Sequence, residues 1–246
     1  MVIVIVGILA MTTTKLITLP VSSYLDLQRR TTLVDTAELT LRRMQRDIRR
    51  ALPNSVRITG GGQVIELLHV IDGGRYRGQQ GGGSGNILDF ATSDLSFDVI
   101  GSLSAAPTGE LVVYNLGVSG ADAYAGANRA TLSNTSTTTL INLQTAKQFP
   151  FQSPQQRFYI IDTPVTYRCS GNQLLRYSGY AITSTQPNPP AGVAGQVQAN
   201  KVASCSFTYN SGSATRSGLV SLEISLTDSA GESVRLMHQV HVDNMP

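Results

Sequence analysis

Tryptophan is absent from these 246 residues, cysteine occurs twice, histidine three times, and only 14% of positions carry a charge. Each shortage closes something off. Cys169 and Cys205 stand far apart, and neither has a cysteine or histidine at ligand spacing, which argues against a zinc site. His238 and His241 fall on opposite sides of a predicted C-terminal strand, His69 stands alone in another, and neither Gly-x-Ser-x-Gly nor His-Glu-x-x-His occurs. No catalytic residue, cofactor or metal is therefore assigned, and the chain reads as a non-enzyme. Asp89, Asp94 and Asp98 lack the spacing of a calcium loop and read as turn and strand-edge residues. The net charge of +3 raises the question of nucleic acid, but seven of the arginines lie within residues 29–50 and the rest are scattered. Nucleic acid is not an expected partner.

What is present begins with an apolar run. Residues 1–11 hold no polar side chain. As a helix rising about 1.5 Å per residue they cover roughly half of a hydrocarbon core of about 30 Å. Continuation through residues 12–19, with Lys15 snorkelling to a headgroup, brings the segment close to spanning length before Pro20 is expected to end it. The run lacks a basic stretch before it and a small-x-small cleavage site after it, which weighs against a secretory signal peptide.

Beyond Pro20, the residues Val34, Ala37, Leu41, Met44, Ile48 and Ala51 step by three and four, the seam of an amphipathic helix. At about 100° per residue, Arg42, Arg43, Arg46, Arg49 and Arg50 centre on the opposite side, facing water, headgroups or a partner. Glu38 and Arg42 are spaced i,i+4, and Asp47 lies near Arg43 and Arg50, pairs worth about 0.2–0.5 kcal/mol each. The Leu52-Pro53 step ends the helix. Residues 1–53 thus read as a membrane and assembly helix, and residues 54–246 as one β-rich domain with ample length for a core.

Strands are expected at residues 55–58, 63–71, 87–92, 95–100, 110–116, 139–143, 157–161, 165–169, 174–180, 201–209, 219–226 and 234–242. Asp162-Thr163-Pro164 and Ser170-Gly171-Asn172 read as turns. The glycine-rich stretch 76–86 has no following Lys-Ser/Thr and reads as a flexible surface loop, not a phosphate cradle. Residues 121–138 read as a long exposed excursion and residues 184–198 as a proline-rich loop. The expected class is α+β: a long N-terminal helix whose seam covers an antiparallel sheet. Tyr159, Tyr167, Tyr177 and Tyr180 lie near Arg157, Arg168 and Arg176, but alternation within strands puts several of the aromatic rings in the core, which disfavours a DNA-stacking face. In an exported domain Cys169 and Cys205 are expected to form one disulfide, worth about 4 kcal/mol by chain entropy, with two buried free thiols as the alternative.

The stretch LDLQRRTTLVDTAELTLRRMQRDIRRALPNSVRI (residues 25–58), following an apolar helix that contains Gly7, resembles the N-terminal helix of type IV pilin-like proteins. Its portion RRMQRDIRRALPNSVRI, together with RFYIIDTPVTYRCSGNQLLRYSGY (residues 157–180), is similar to the MshO-like minor pilins of the MSHA-type pilus system. The helix by itself also suits a PilW-type minor pilin or the J-type pseudopilin of type II secretion. The family's Gly-Phe/Met-Thr-Leu-x-Glu signature is absent, so no processing site or assembly glutamate is assigned, and the resemblance implies that the helix starts upstream of Met1. It further implies a pilin-like fold, an assembly role, other pilin and minor pilin subunits as partners, and residence at the inner membrane with a periplasmic domain before incorporation into a pilus. A tip-located adhesin, binding a surface or glycan through residues 121–138 and 184–198, is the alternative role.

Overall fold

The computed structural model of the chain describes residues 2–80, 85–212 and 217–242, leaving aside the side chains at 8, 10–20 and 22. Residues 81–84 of the predicted glycine-rich loop lie outside this set. The elements begin with helix α1 (Val2–Arg49), followed by β1 (Arg57–Thr59), β2 (Val64–Tyr76), β3 (Asp94–Ile100), β4 (Glu110–Val113) and β5 (Arg129–Thr131). Next come β6 (Leu140–Lys147), β7 (Arg157–Ser170), β8 (Gln173–Ser178), β9 (Gln196–Asn200), β10 (Val202–Asn210), β11 (Gly218–Thr227) and β12 (Ser233–Val242).

The strands form two antiparallel sheets. The larger has nine strands, with the path β5-β4-β7-β2-β3-β6 and with β1 on β2, β8 on β7 and β9 on β8; the smaller is β10-β11-β12. This corrects the α+β expectation: among the described residues one α-helix and a single 3-10 turn stand against twelve strands, and the fold is mostly β. The physical reason lies in the core. Tyr76, Phe97 and Phe158 build a second core that contains no residue of the helix, with Phe97 and Phe158 edge to face at 5.5 Å, so the part of the large sheet around them needs no helical cover.

The helix contributes one stripe to the other core. Leu33, Ala37, Leu41, Met44 and Ile48 are buried together with Ile65 and Tyr167 of the large sheet and Val220, Leu222 and Ile224 of the small one. Val34 is only partly buried, and Leu33 carries the burial that the seam assigned to it. Alternation along β11 is complete, every second residue being buried, as a half-buried strand requires.

The backbone stays helical through Pro20, against the expectation that it ends there; its fixed φ near −65° is itself helical, and it removes a single hydrogen bond. Among the described residues no helix is long and apolar enough to cross a membrane, which corrects the reading of the apolar run as a transmembrane helix. Threonines 12–14 and Lys15 interrupt the apolar character soon after Met11. At its other end the helix tightens, Arg50 and Ala51 donating to the carbonyls of Asp47 and Ile48. The chain then lies along β2: Leu52 N–H bonds the Leu68 carbonyl at 2.8 Å, and Val70 N–H bonds the Arg50 carbonyl at 2.8 Å.

Three local expectations give way. The predicted Asp162-Thr163-Pro164 turn is a bulge inside β7: Leu68 pairs with Pro164 and Val70 with Ile161, so two residues bulge opposite His69 and the strand continues. Residues 87–92 form no strand, because Asp89 accepts from Ala91 N–H and Thr92 Oγ1 and closes a local turn. Residues 121–138 are pinned, not free: Ala121, Ala123 and Tyr124 are buried, β5 lies within the segment, and Tyr124 donates its hydroxyl to the Ser55 carbonyl at 2.9 Å.

Candidate functional site

The structure splits the five predicted contact arginines into three settings. Arg42 is held along the helix by Glu38, Nε to Oε1 at 2.7 Å. Glu38 also meets His238 of β12, Nε2 to Oε2 at 3.0 Å. The Arg42 hydrogen bond, reinforced by His238 and opposed by partial burial, holds the Glu38 carboxyl below its ordinary range. His238 thus sits half-buried between helix and sheet, while His241 is exposed. Arg43 and Arg46 are exposed and meet no carboxylate within ion-pair distance among the described residues. Leu39 lies four residues before Arg43 and is 69% exposed, so this face carries an apolar spot beside its charge. It escaped the sequence reading because one leucine off the seam is an ordinary surface residue.

Arg49 and Arg50 belong to a different feature, a cleft of about 550 Å³ at the end of α1. Its other wall is the outer face of β2 and β7, where Arg75 stands directly opposite Arg157, and Gly73 opposite Tyr159. A Cβ at Gly73 would lie 3.0 Å from the Phe158 carbonyl oxygen and 3.4 Å from Tyr159 Cδ1, so glycine keeps this floor low. Arg75 donates its Nε to the Gln155 carbonyl at 3.1 Å. The cleft's carboxylate, Asp72, is already engaged: Oδ2 accepts from Ser104 N–H at 3.2 Å and Oγ at 2.6 Å, and Oδ1 from Gly73 N–H at 2.8 Å. Burial works against its charge, but these bonds prevail and hold it below the usual carboxylate range. The sequence reading missed this cluster, since Arg75 and Arg157 meet only through the strand register.

No family model, curated protein or solved structure matches the chain.

Other singled-out residues serve the fold. Asp47 pairs not with Arg43 or Arg50 but with Arg176. Tyr167, Tyr177 and Tyr180 are buried, so of the tyrosine–arginine set only Tyr159 and Arg157 line the same cleft. Glu66, fully buried, accepts from Arg57 Nε at 2.5 Å and from the Tyr180 hydroxyl at 2.8 Å, while the Arg57 guanidinium stacks over Tyr124 at 3.6 Å. His69 finds Asp162 at 3.0 Å across the bulge. Cys169 and Cys205 form a disulfide that joins β7 of the large sheet to β10 of the small one. Of the predicted loop 184–198, within the bridged segment, residues 184–195 carry no regular structure, whereas 196–198 begin β9. Among the described residues no group of three or more histidine, cysteine, aspartate or glutamate side chains is placed to hold a metal.

Proposed function

We propose that this chain is a minor pilin-like structural subunit for assembly of an MSHA-type type IV pilus, acting in pilus biogenesis, surface attachment or motility without catalysis of its own. The observation that carries the reading is the exposure of the described apolar side chains near the start of α1. Val2, Ile3, Val4, Ile5, Val6 and Leu9 are each more than half exposed, and Val21, Tyr24, Leu25 and Leu27 are exposed as well. Consecutive exposed apolar residues leave no face turned to the rest of the chain, so the helix is built for contacts outside this subunit. Such a rod associates with the inner membrane and then exchanges lipid for neighbouring helices, gaining through packing at little hydrophobic cost. Leu39, Arg43 and Arg46 then meet acidic surfaces of adjacent subunits, in the manner of an interface with an apolar centre and charged rim.

The test is charge reversal at Arg43 and Arg46, the double variant R43E/R46E, produced in cells alongside the other subunits. Filament yield is expected to fall while the domain keeps its circular dichroism spectrum and melting temperature. Filaments at the ordinary level would overturn the assigned contact.

A further inference from the structure

We propose that the cleft between the end of α1 and the β2–β7 face binds a carboxylate-bearing, extended peptide segment. The first argument is electrostatic. Arg75 and Arg157 are direct cross-strand partners, an arrangement that puts Cβ atoms about 5 Å apart and destabilises a sheet when the charges are alike. Arg49 and Arg50 add two more guanidiniums on the opposite wall. None of the four has a carboxylate at ion-pair distance among the described residues, and Asp72 spends its acceptors on Ser104 and Gly73. A like-charge pair at the end of the β2–β7 ladder, facing two further cations across a cleft, gains stability when an anion enters.

The second argument concerns shape. On the edge of β2 away from β7, the segment after the helix reaches only Leu68–Val70, and β3 joins only at Arg75 and Tyr76. Among the described residues, no strand pairs with Ile71–Gly74 on that edge. An incoming extended segment lies along this stretch with its side chains over Gly73; the Gly73 N–H is already held by Asp72 Oδ1, so the arginines and the shape of the floor, not a full backbone ladder, hold the segment. Ile71, 40% exposed, takes an apolar neighbour of the acidic residues. The volume lies within the range of about 300–1,000 Å³ typical of ligand sites. That the segment comes from an adjacent subunit rests on the co-assembly reading; binding itself does not.

The experiment titrates the full chain by calorimetry with a capped peptide alternating glutamate and valine, and with its glutamine counterpart. The acidic peptide is expected to bind and the neutral one not. In the double variant R75Q/R157Q the affinity should drop by about tenfold or more, the order seen when close interfacial charge pairs are broken. Arg43→Gln, which lies off the cleft, should leave it within about twofold. The like-charge premise has its own readout, because Arg157→Gln alone should raise the thermal midpoint of the free chain; a lowered midpoint overturns it. Equal binding of both peptides, or undiminished binding by R75Q/R157Q, overturns the site. Equally tight capture of inorganic phosphate or a single-stranded oligonucleotide overturns the peptide assignment. Since binding is read on the isolated chain and filament yield in cells, failure of this inference and failure of the co-assembly reading are separately visible.

Discussion

Asp47 on α1 and Arg176 on β8 hold each other at 2.9 Å, and the Tyr167 hydroxyl of β7 donates to the same carboxylate oxygen at 2.8 Å. Both charged side chains are mostly shielded from water, at 17% and 16% exposure. Replacing Asp47 by Asn removes the charge that both donors address and leaves the guanidinium half-buried without its counter-ion. Urea unfolding should register a loss of about 1.5–3 kcal/mol, the range for hydrogen bonds to charged groups.

Stability should also fall in alkali. Burial, followed by the negative charge of Asp47, pushes the Tyr167 hydroxyl well up; burial, followed by Glu66, does the same to Tyr180 and Tyr124. In the unfolded chain these groups ionise near 10. Because the folded values are raised, the stabilisation is whole below about pH 10 and is lost as pH rises further. Urea midpoints across this range should decline, and Tyr180→Phe should make the decline shallower; an unchanged slope would exclude that residue as a contributor.

Removing the disulfide by Cys169→Ser with Cys205→Ser should cost about 2–4 kcal/mol. The location predicts more than the magnitude. As the bridge ties β10 to β7, amide exchange should quicken first in β10–β12, while β2, β3 and the aromatic core around Phe97 keep their protection. Uniform acceleration throughout would mean that the two sheets unfold as one unit.

Along α1 the contrast between faces gives a further check. Met44 is fully buried and Arg46 is exposed. Met44→Ala is expected to destabilise by about 2–5 kcal/mol, and Arg46→Ala by no more than about 0.5 kcal/mol. Chemical denaturation of both variants measures the difference directly.

Much of this was readable from residue order because it depends on local period. Ala37, Leu41, Met44 and Ile48 recur at helical spacing and are buried; Val220, Leu222, Ile224 and Leu226 alternate and are buried. The sequence reading went astray where a side chain or a register decided the outcome. Asp89 turned an apparent strand into a bend by capping Ala91, and the bulge opposite His69 let β7 run through a turn-like Asp-Thr-Pro. Local period likewise carries no information about which strands share a sheet, so the separation of β10–β12 and the independent aromatic core were illegible, and with them the fold class. The arginine cleft was hidden for the same reason, since residues 75 and 157 are brought together by pairing of β2 with β7, and residue 49 by the helix end lying along β2.

The disposition of the helix has a bearing on how the chain is made. Leu41, Met44 and Ile48 are synthesised early, yet their cover includes Val220, Leu222 and Ile224 of β11, close to the other end of the chain. Through most of synthesis the helix therefore shows two apolar surfaces, the exposed stretch at Val2–Val6 and its uncovered seam, and only the second is withdrawn when the last strands arrive. Nascent chains should engage chaperones through the seam, and a stop codon before Gly218 should prolong that engagement by leaving the seam bare. Completion of the C-terminal sheet would then act as the quality mark that separates a finished subunit, sticky only along its rod, from an unfinished one.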